Sequence, residues 1–247
     1  MSEKRKYFWA GVRSELPLLI GVFPFGMIYG ALALDAGLST AAAQMMSSMV
    51  FAGSAQFITT QLVRDFAPGF VIVLTIAVVN LRHMLYSASL APYLASLSVR
   101  WKVLLSYLLT DEAYAPSIIH YETDGIKPQS HWFLLGAGLA LWTTWQFSTA
   151  IGIFLGAAIP DSWSLDFALP LTFIAMIVPV LKNRPAVAAA LSAGLTALAA
   201  YSLPYKLGLI LAALVGIAVG TFLEDRTNAK PKRDLPIYAN LRESLED

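Results

Sequence analysis

The sequence predicts an all-α fold: a polytopic helical integral membrane protein with about eight transmembrane helices, some of them broken, and both termini cytoplasmic. Three observations carry this reading. Of the 247 residues, 57% are apolar and only 13% charged, about half the ~25% charged fraction of soluble domains. Charge is absent over Trp132–Pro160, Phe167–Leu181, Pro185–Tyr205 and Leu207–Leu223, and Asp35 is the only charge between Leu16 and Val63. Apolar runs of about 18 residues or more match the roughly 30 Å hydrocarbon core at about 1.5 Å of rise per residue. The third observation is the distribution of the 17 basic residues, developed below. A water-soluble fold is excluded, and strands are too, because the segments are apolar all round rather than alternating.

Taken in order, the expected spans cover about 15–37, 40–63, 68–91, 99–120, 131–158, 165–181, 185–203 and 206–223. Asp35-Ala36-Gly37, Pro68-Gly69, Asp124-Gly125 and Pro160-Asp161 supply the turns between them. The chain then divides into a cytoplasmic segment 1–14, a transmembrane domain 15–223 and a polar cytoplasmic tail 224–247. With the N-terminus inside, thirteen basic residues fall on the cytoplasmic side, Arg64 and Lys127 among them. Arg100, Lys102 and Lys206 fall outside, and Arg82 lies within a span. Both ends inside and an even number of spans follow, with Arg100 and Lys102 the discordant pair. A six-span arrangement with re-entrant segments near the C-terminal end stays open. The first apolar segment is too long for a signal-peptide core, and no internal repeat is clear by eye.

Several classes of function drop out. There are no cysteines, so disulfide frameworks, thiolate zinc sites and thiol nucleophiles are excluded. The net charge of +1 and the lack of a basic, aromatic-interleaved stretch give no basis for nucleic-acid binding. Phosphate-loop, zinc-protease and serine-hydrolase motifs are missing. The three histidines are scattered, so no metal and no cofactor is expected, and the reading is not that of an enzyme.

The informative residues are polar groups at membrane depth, where a charge costs about 2.5–3.5 kcal/mol or more. Asn80-Leu81-Arg82-His83 sits near the middle of the third span and Thr110-Asp111-Glu112 near the middle of the fourth. The midpoint between Arg82 and Asp111 falls in the Ser96-Leu97 turn. In a hairpin, residues equidistant from the turn share a height, so Arg82 is expected to pair with Asp111 or Glu112, with His83 nearby. Arg82 then either locks the hairpin or faces a cavity. The two adjacent acids cannot both face one partner, so one of them lines a cavity. Asn80 and His83 share a helix face. In the first span, Phe23-Pro24-Phe25-Gly26 predicts either a kink or a broken helix whose second half aims its amides at an anion. Ser54 and Gln56 in the second span serve either helix packing or a ligand. Gly26/Gly30, Gly152/Gly156 and Gly216/Gly220 mark helix contacts.

Pro24-Phe25-Gly26, Phe51-Ala52-Gly53-Ser54-Ala55-Gln56-Phe57, Asn80-Leu81-Arg82, Thr110-Asp111-Glu112 and Leu165-Asp166-Phe167-Ala168-Leu169-Pro170 together resemble the AzlC-type family, the large subunit of bacterial branched-chain amino acid exporters. The resemblance covers about residues 10–222, and the Phe-Ala-Gly-Ser-Ala-Gln-Phe string is its most specific part. His83 stands where the family more often has an aromatic. The resemblance implies a multi-pass protein of the bacterial inner (plasma) membrane. Such a protein exports leucine, isoleucine, valine and perhaps methionine, in contact with membrane lipid and with a small AzlD-type membrane subunit. A zwitterion needs donors for its carboxylate, an acceptor for its ammonium and an apolar pocket. Arg82, Gln56, Ser54, Asn80 and the Gly26 region meet the first need, Asp111 or Glu112 the second, and Phe25, Phe51 and Phe57 the third. Asp111, Glu112 and His83 are the candidates for proton coupling. A permease subunit energised by a separate ATPase and an intramembrane enzyme are the alternatives.

Overall fold

The computed structural model describes residues 2–125, 127–156, 181, 183–204 and 207–227. Helices and turns account for the described residues, with no strand among them. The chain separates into two compact units, Met1–Ile174 and Ala175–Asp247.

The first unit is organised around two long helices, α1 (Glu3–Asp35) and α7 (His131–Gly156). Their backbones touch through glycine. A Cβ added to Gly11 would lie 2.0 Å from the Phe133 carbonyl oxygen, and one on Gly136 2.1 Å from that of Phe8. Further along, Gly30 faces the Thr149 carbonyl at 2.4 Å and Gly152 that of Met27 at 2.1 Å. Residue numbers rise together in these pairs, so α1 and α7 run parallel. Small residues that admit a second backbone are how membrane helices gain packing without a hydrophobic drive.

That contact explains a correction. Pro17 and Pro24 both sit inside α1 without ending it. The break expected at Phe23-Pro24-Phe25-Gly26, with its half-helix pointing at a ligand, is not present. A proline removes a single backbone bond, and the glycine-lined face pressed against α7 keeps the helix on course across that gap.

The breaks fall instead in the second and fourth expected spans. Residues 40–63 form two half-helices, α2 (Thr40–Val50) and α3 (Gly53–Arg64). Ser39 caps α2 by accepting from the Ala42 amide at 3.2 Å. Phe51, at φ 41° and ψ 48°, turns the chain in the left-handed region that bulky residues avoid. With 11 and 12 residues, each half-helix reaches about 16–18 Å, half the depth of the hydrocarbon core. Tyr29 donates to the Ala43 carbonyl at 2.9 Å. The Phe25 ring lies 4.5 Å from that of Phe57, and Arg64 at the end of α3 reaches Asp35 at the end of α1 at 3.7 Å. The chain therefore dips in along α2 and climbs back along α3 to the end it left.

From there α4 (Gly69–Leu94) crosses in the opposite sense to α1. The fourth expected span, 99–120, is again two pieces, α5 (Val99–Tyr107) and α6 (Asp111–Asp124). Trp101 sits 4.7 Å from His131 and 5.2 Å from Trp132 at the start of α7. Tyr107 receives the Trp142 indole N–H at 2.7 Å, so α5 climbs beside α7. After Thr110, α6 descends parallel to α4, with Tyr86 stacked on Tyr114 at 4.8 Å and Tyr93 on Tyr121 at 5.3 Å. His120 ends up 4.1 Å from Phe133, back at the start of α7.

Among the described residues of the first unit, three long helices, α1, α4 and α7, run side by side, and two helical hairpins enter between them from opposite ends. The order long helix, half-helix, half-helix occurs twice, in α1–α3 and α4–α6, with reversed direction. In the sequence this inverted repeat is traced by Val22 against Val79, Met27-Ile28-Tyr29-Gly30-Ala31 against Met84-Leu85-Tyr86-Ser87-Ala88, and Ala55 against Ala113. The hairpins also exchange the sides of three basic residues. Arg100, Lys102 and Lys127 share the end of the N-terminal Lys4, Arg5, Lys6 and Arg13, whereas Arg64 lies at the opposite end. Among these residues the discordance passes from Arg100 and Lys102 to Arg64 alone.

In the second unit, α8 (Arg184–Ala199) is capped by Asn183, which accepts from the Ala186 amide at 2.8 Å. It packs on α9 (Leu207–Thr227). Here Gly216 and Gly220 face Ala193 and Ala189, the nearest Cβ separations being 3.0 and 3.1 Å. By length and composition, Glu3–Asp35, Gly69–Leu94 and Leu207–Glu224 are able to span a membrane. The expected sixth span and the Leu165–Pro170 motif lie outside the described residues.

Candidate functional site

The two hairpin tips and the middle of α4 meet at Arg82. Its Nη2 donates to Ser54 Oγ at 2.8 Å, and its Nη1 lies 3.3 Å from Asp111 Oδ2. One guanidinium therefore ties the first turn of α3 to the first residue of α6. The height argument holds because α5 does the climbing: Asp111 stands at the apex, just before the chain turns down again. Of the two acids, Asp111 takes the pair. Glu112, beside it in the first turn, is half-buried. The pair itself is only partly enclosed, with side chains 28% and 32% exposed, and Arg82 Nε has no hydrogen-bond partner among the described residues.

The two half-helix starts differ electrically. The unpaired amides of a helix N-terminus carry about half a positive charge. At α3 the cap residue is Ala52, which has no side-chain acceptor, and the first turn holds no acid. At α6 the cap is Thr110, and Asp111 and Glu112 occupy the first turn. An anion is favoured at the first start and a cation at the second, with Arg82 between them.

Beside the α3 start lies an aromatic enclosure. Gln56 is fully buried; its Oε1 accepts from Trp145 Nε1 at 3.0 Å, while Nε2 has no hydrogen-bond partner among the described residues. Trp145 stacks on Tyr29 at 6.1 Å and meets Phe25 edge-on at 6.0 Å. Gly53 makes room for it, since a Cβ there would come within 3.1 Å of the indole. Phe57 closes the group, and Phe51 lies 6.1 Å from Tyr107 at the tip of the other hairpin.

The remaining expected residues are dispersed. Gly26 faces Ser148 of α7, where a Cβ would lie 2.0 Å from the hydroxyl, so its position is one of helix contact. His83 donates from Nδ1 to the Asn80 carbonyl at 3.2 Å and lies 6.0 Å from Tyr86; it bonds neither acid. Asn80 Oδ1 has no partner among the described residues. Ser47, Ser48 and Gln44 turn to α7. Gln146 accepts from Gln44 at 2.9 Å and from Ser48 at 2.8 Å, and donates to the Ser47 carbonyl at 3.1 Å.

Two residues escape the sequence reading. Trp145 is hidden because it stands in a charge-free span, where nothing in the sequence sets it apart from Trp142. Glu15 is hidden at the boundary of the first span, yet it is fully buried. Its signal is the spacing Gly11, Glu15, Val22, Gly26, which places it on the buried face of α1.

Crossing helices, opposed discontinuous hairpins and a charged group where their tips meet define a membrane transport protein of the broken-helix kind. Residues 17–159 match the family described as AzlC protein. The chain belongs to the AzlC family. It is 26% identical over 221 residues to the inner membrane protein YgaZ of Escherichia coli (strain K12), covering 86% of this chain and 87% of that one. A membrane protein of Archaeoglobus fulgidus is 32% identical over 219 residues, covering 86% and 94%. The branched-chain amino acid transport protein AzlC of Bacillus subtilis (strain 168) is 29% identical over 181 residues, covering 71% and 70%. No solved structure matches the chain.

Proposed function

We propose that this protein is a secondary exporter of branched-chain amino acids, coupled to protons or another ion, with both termini cytoplasmic and a small AzlD-type membrane subunit as its partner. The observation that carries the reading is Arg82 held between Ser54 and Asp111. A carboxylate docked at the α3 start meets free amides and the guanidinium. An ammonium group has Asp111 or Glu112 within the same cluster. Phe25, Phe51 and Phe57 supply apolar surface for a branched side chain. One methylene is worth only about 1–3 kcal/mol in such a pocket, so leucine, isoleucine, valine and methionine overlap as substrates. The Bacillus subtilis relative's name supports the substrate class, and the seven basic residues at the N-terminal end support the orientation.

The test is leucine efflux from a deletion strain fed leucine-containing dipeptides. Arg82→Gln, Asp111→Asn and Glu112→Gln are compared with wild type at matched membrane abundance. Efflux is expected to fall at least about tenfold for Arg82→Gln and for one of the acids. It is also expected to survive ATP depletion and to collapse with an uncoupler. Wild-type efflux from all three variants overturns the site, and dependence on ATP alone overturns the coupling.

A further inference from the structure

Glu15 is 0% exposed, and neither carboxyl oxygen has a hydrogen-bond partner among the described residues. The neighbouring Ser14 hydroxyl turns away to the Gly11 carbonyl at 2.7 Å. Four helices pack against α1. From α7 no titratable side chain faces it beyond His131, α2 has none at all, and the only one on α3 is Arg64 at its far end. Arg13, two residues earlier on α1, is exposed.

On α6, Asp111 is held by Arg82 and Tyr114 is bonded to Ser89 at 2.9 Å. His120, Tyr121, Glu122 and Asp124 lie further toward the N-terminal end. That leaves Glu112. The register of the two antiparallel helices is given by Tyr7, whose ring lies 5.8 Å from that of His120. Eight residues on along α1 is Glu15 and eight residues back along α6 is Glu112, so the two carboxyls come to one height. A charge on Glu112 opposes one on Glu15, with no hydrogen bond joining the two carboxyls.

An isolated carboxylate taken out of water without a donor costs several kcal/mol, and a second one beside it raises that cost. A proton bound by either carboxyl removes one charge and supplies that group with an O–H donor. We propose that Glu15 is a proton-binding residue of the transport cycle, exchanging its carboxyl proton with the Glu112 carboxylate when movement of the α5–α6 hairpin brings the two carboxyls into hydrogen-bond contact. The O–H bond broken at Glu15 is matched by the one formed at Glu112. Glu112 adjoins Asp111, so each transfer changes the field on the Arg82–Asp111 pair that bridges the hairpin tips. The inference rests on the proton-coupled transport reading above.

The full-length protein is reconstituted in liposomes with a trapped pH-sensitive dye. Leucine-linked proton flux and leucine counterflow are measured in parallel. For Glu15→Gln the ratio of proton flux to counterflow is expected to fall at least about tenfold. In the wild type, dicyclohexylcarbodiimide, which captures protonated carboxyls in apolar surroundings, is expected to leave a mass adduct on Glu15 that diminishes as pH rises. An unchanged ratio, the absence of an adduct at any pH, or joint loss of flux and counterflow in correctly inserted Glu15→Gln overturns the proposal. Absence of leucine counterflow in the wild type, with the adduct present, defeats the substrate reading and supports Glu15.

Discussion

Replacing Gly152 by alanine tests the frame on which the site is built. The new methyl would lie 2.1 Å from the Met27 carbonyl oxygen and 2.7 Å from both its carbonyl carbon and its Cα. All three are backbone atoms of α1, so no rotamer change relieves the clash, and the helices must part by about 1 Å at a cost of about 1–3 kcal/mol. Gly21 is the matched control on α1, because nothing lies within 4 Å of a Cβ placed there. Alanine at Gly21 gains at most about 1 kcal/mol of helix propensity. Gly152→Ala carries the same propensity gain, so the two variants should differ by the cost of the clash, about 1–3 kcal/mol. Equilibrium unfolding in mixed micelles of increasing sodium dodecyl sulfate fraction, followed by circular dichroism, measures the difference. Equal stability of Gly152→Ala and Gly21→Ala would refute the backbone contact between α1 and α7.

The absence of cysteine makes the chain a ready background for accessibility labelling. Phe66→Cys and Ser96→Cys, both at exposed turns, should react with an impermeant maleimide from opposite sides of the membrane, Ser96→Cys on the side of the N-terminus. Swapped sides would restore the uninterrupted spans. Trp145→Phe removes the indole hydrogen bond to buried Gln56 Oε1 and should cost about 1–3 kcal/mol in the same unfolding assay. A Gln56→Leu, Trp145→Phe double variant should recover part of that loss. Phe66 is 93% exposed and holds φ at 54°, so Phe66→Gly should stabilise the protein by about 1 kcal/mol; a loss of stability there argues against the strained turn.

How much of this was readable beforehand depended on what each signal measures. Burying charge is costly everywhere, so the Arg82–Asp111 pair followed from two mid-membrane polar clusters equidistant from one turn. Direction was another matter. Hydropathy counts apolar residues and not the way the chain travels, so two half-helices of 11 and 12 residues read as one crossing. The strongest breaker, Pro24, breaks nothing because α7 supports the helix around it. The turn that does break a span is made by Phe51 and Ala52, neither of which carries a turn signature. Arg100 and Lys102 held the clue, since their apparent position on the wrong side was itself the trace of an unsuspected reversal. Glu15 was legible only as a face, visible once Gly11 and Gly26 were known to meet α7.

Two rods whose main chains touch near both ends have little freedom to slide. A shift of one residue along either axis would bring side-chain carbons where Gly11, Gly30, Gly136 and Gly152 now admit carbonyl oxygens. Whatever rearrangement opens the centre first to one compartment and then to the other must leave this spine standing and be carried by the short arms that reach in beside it.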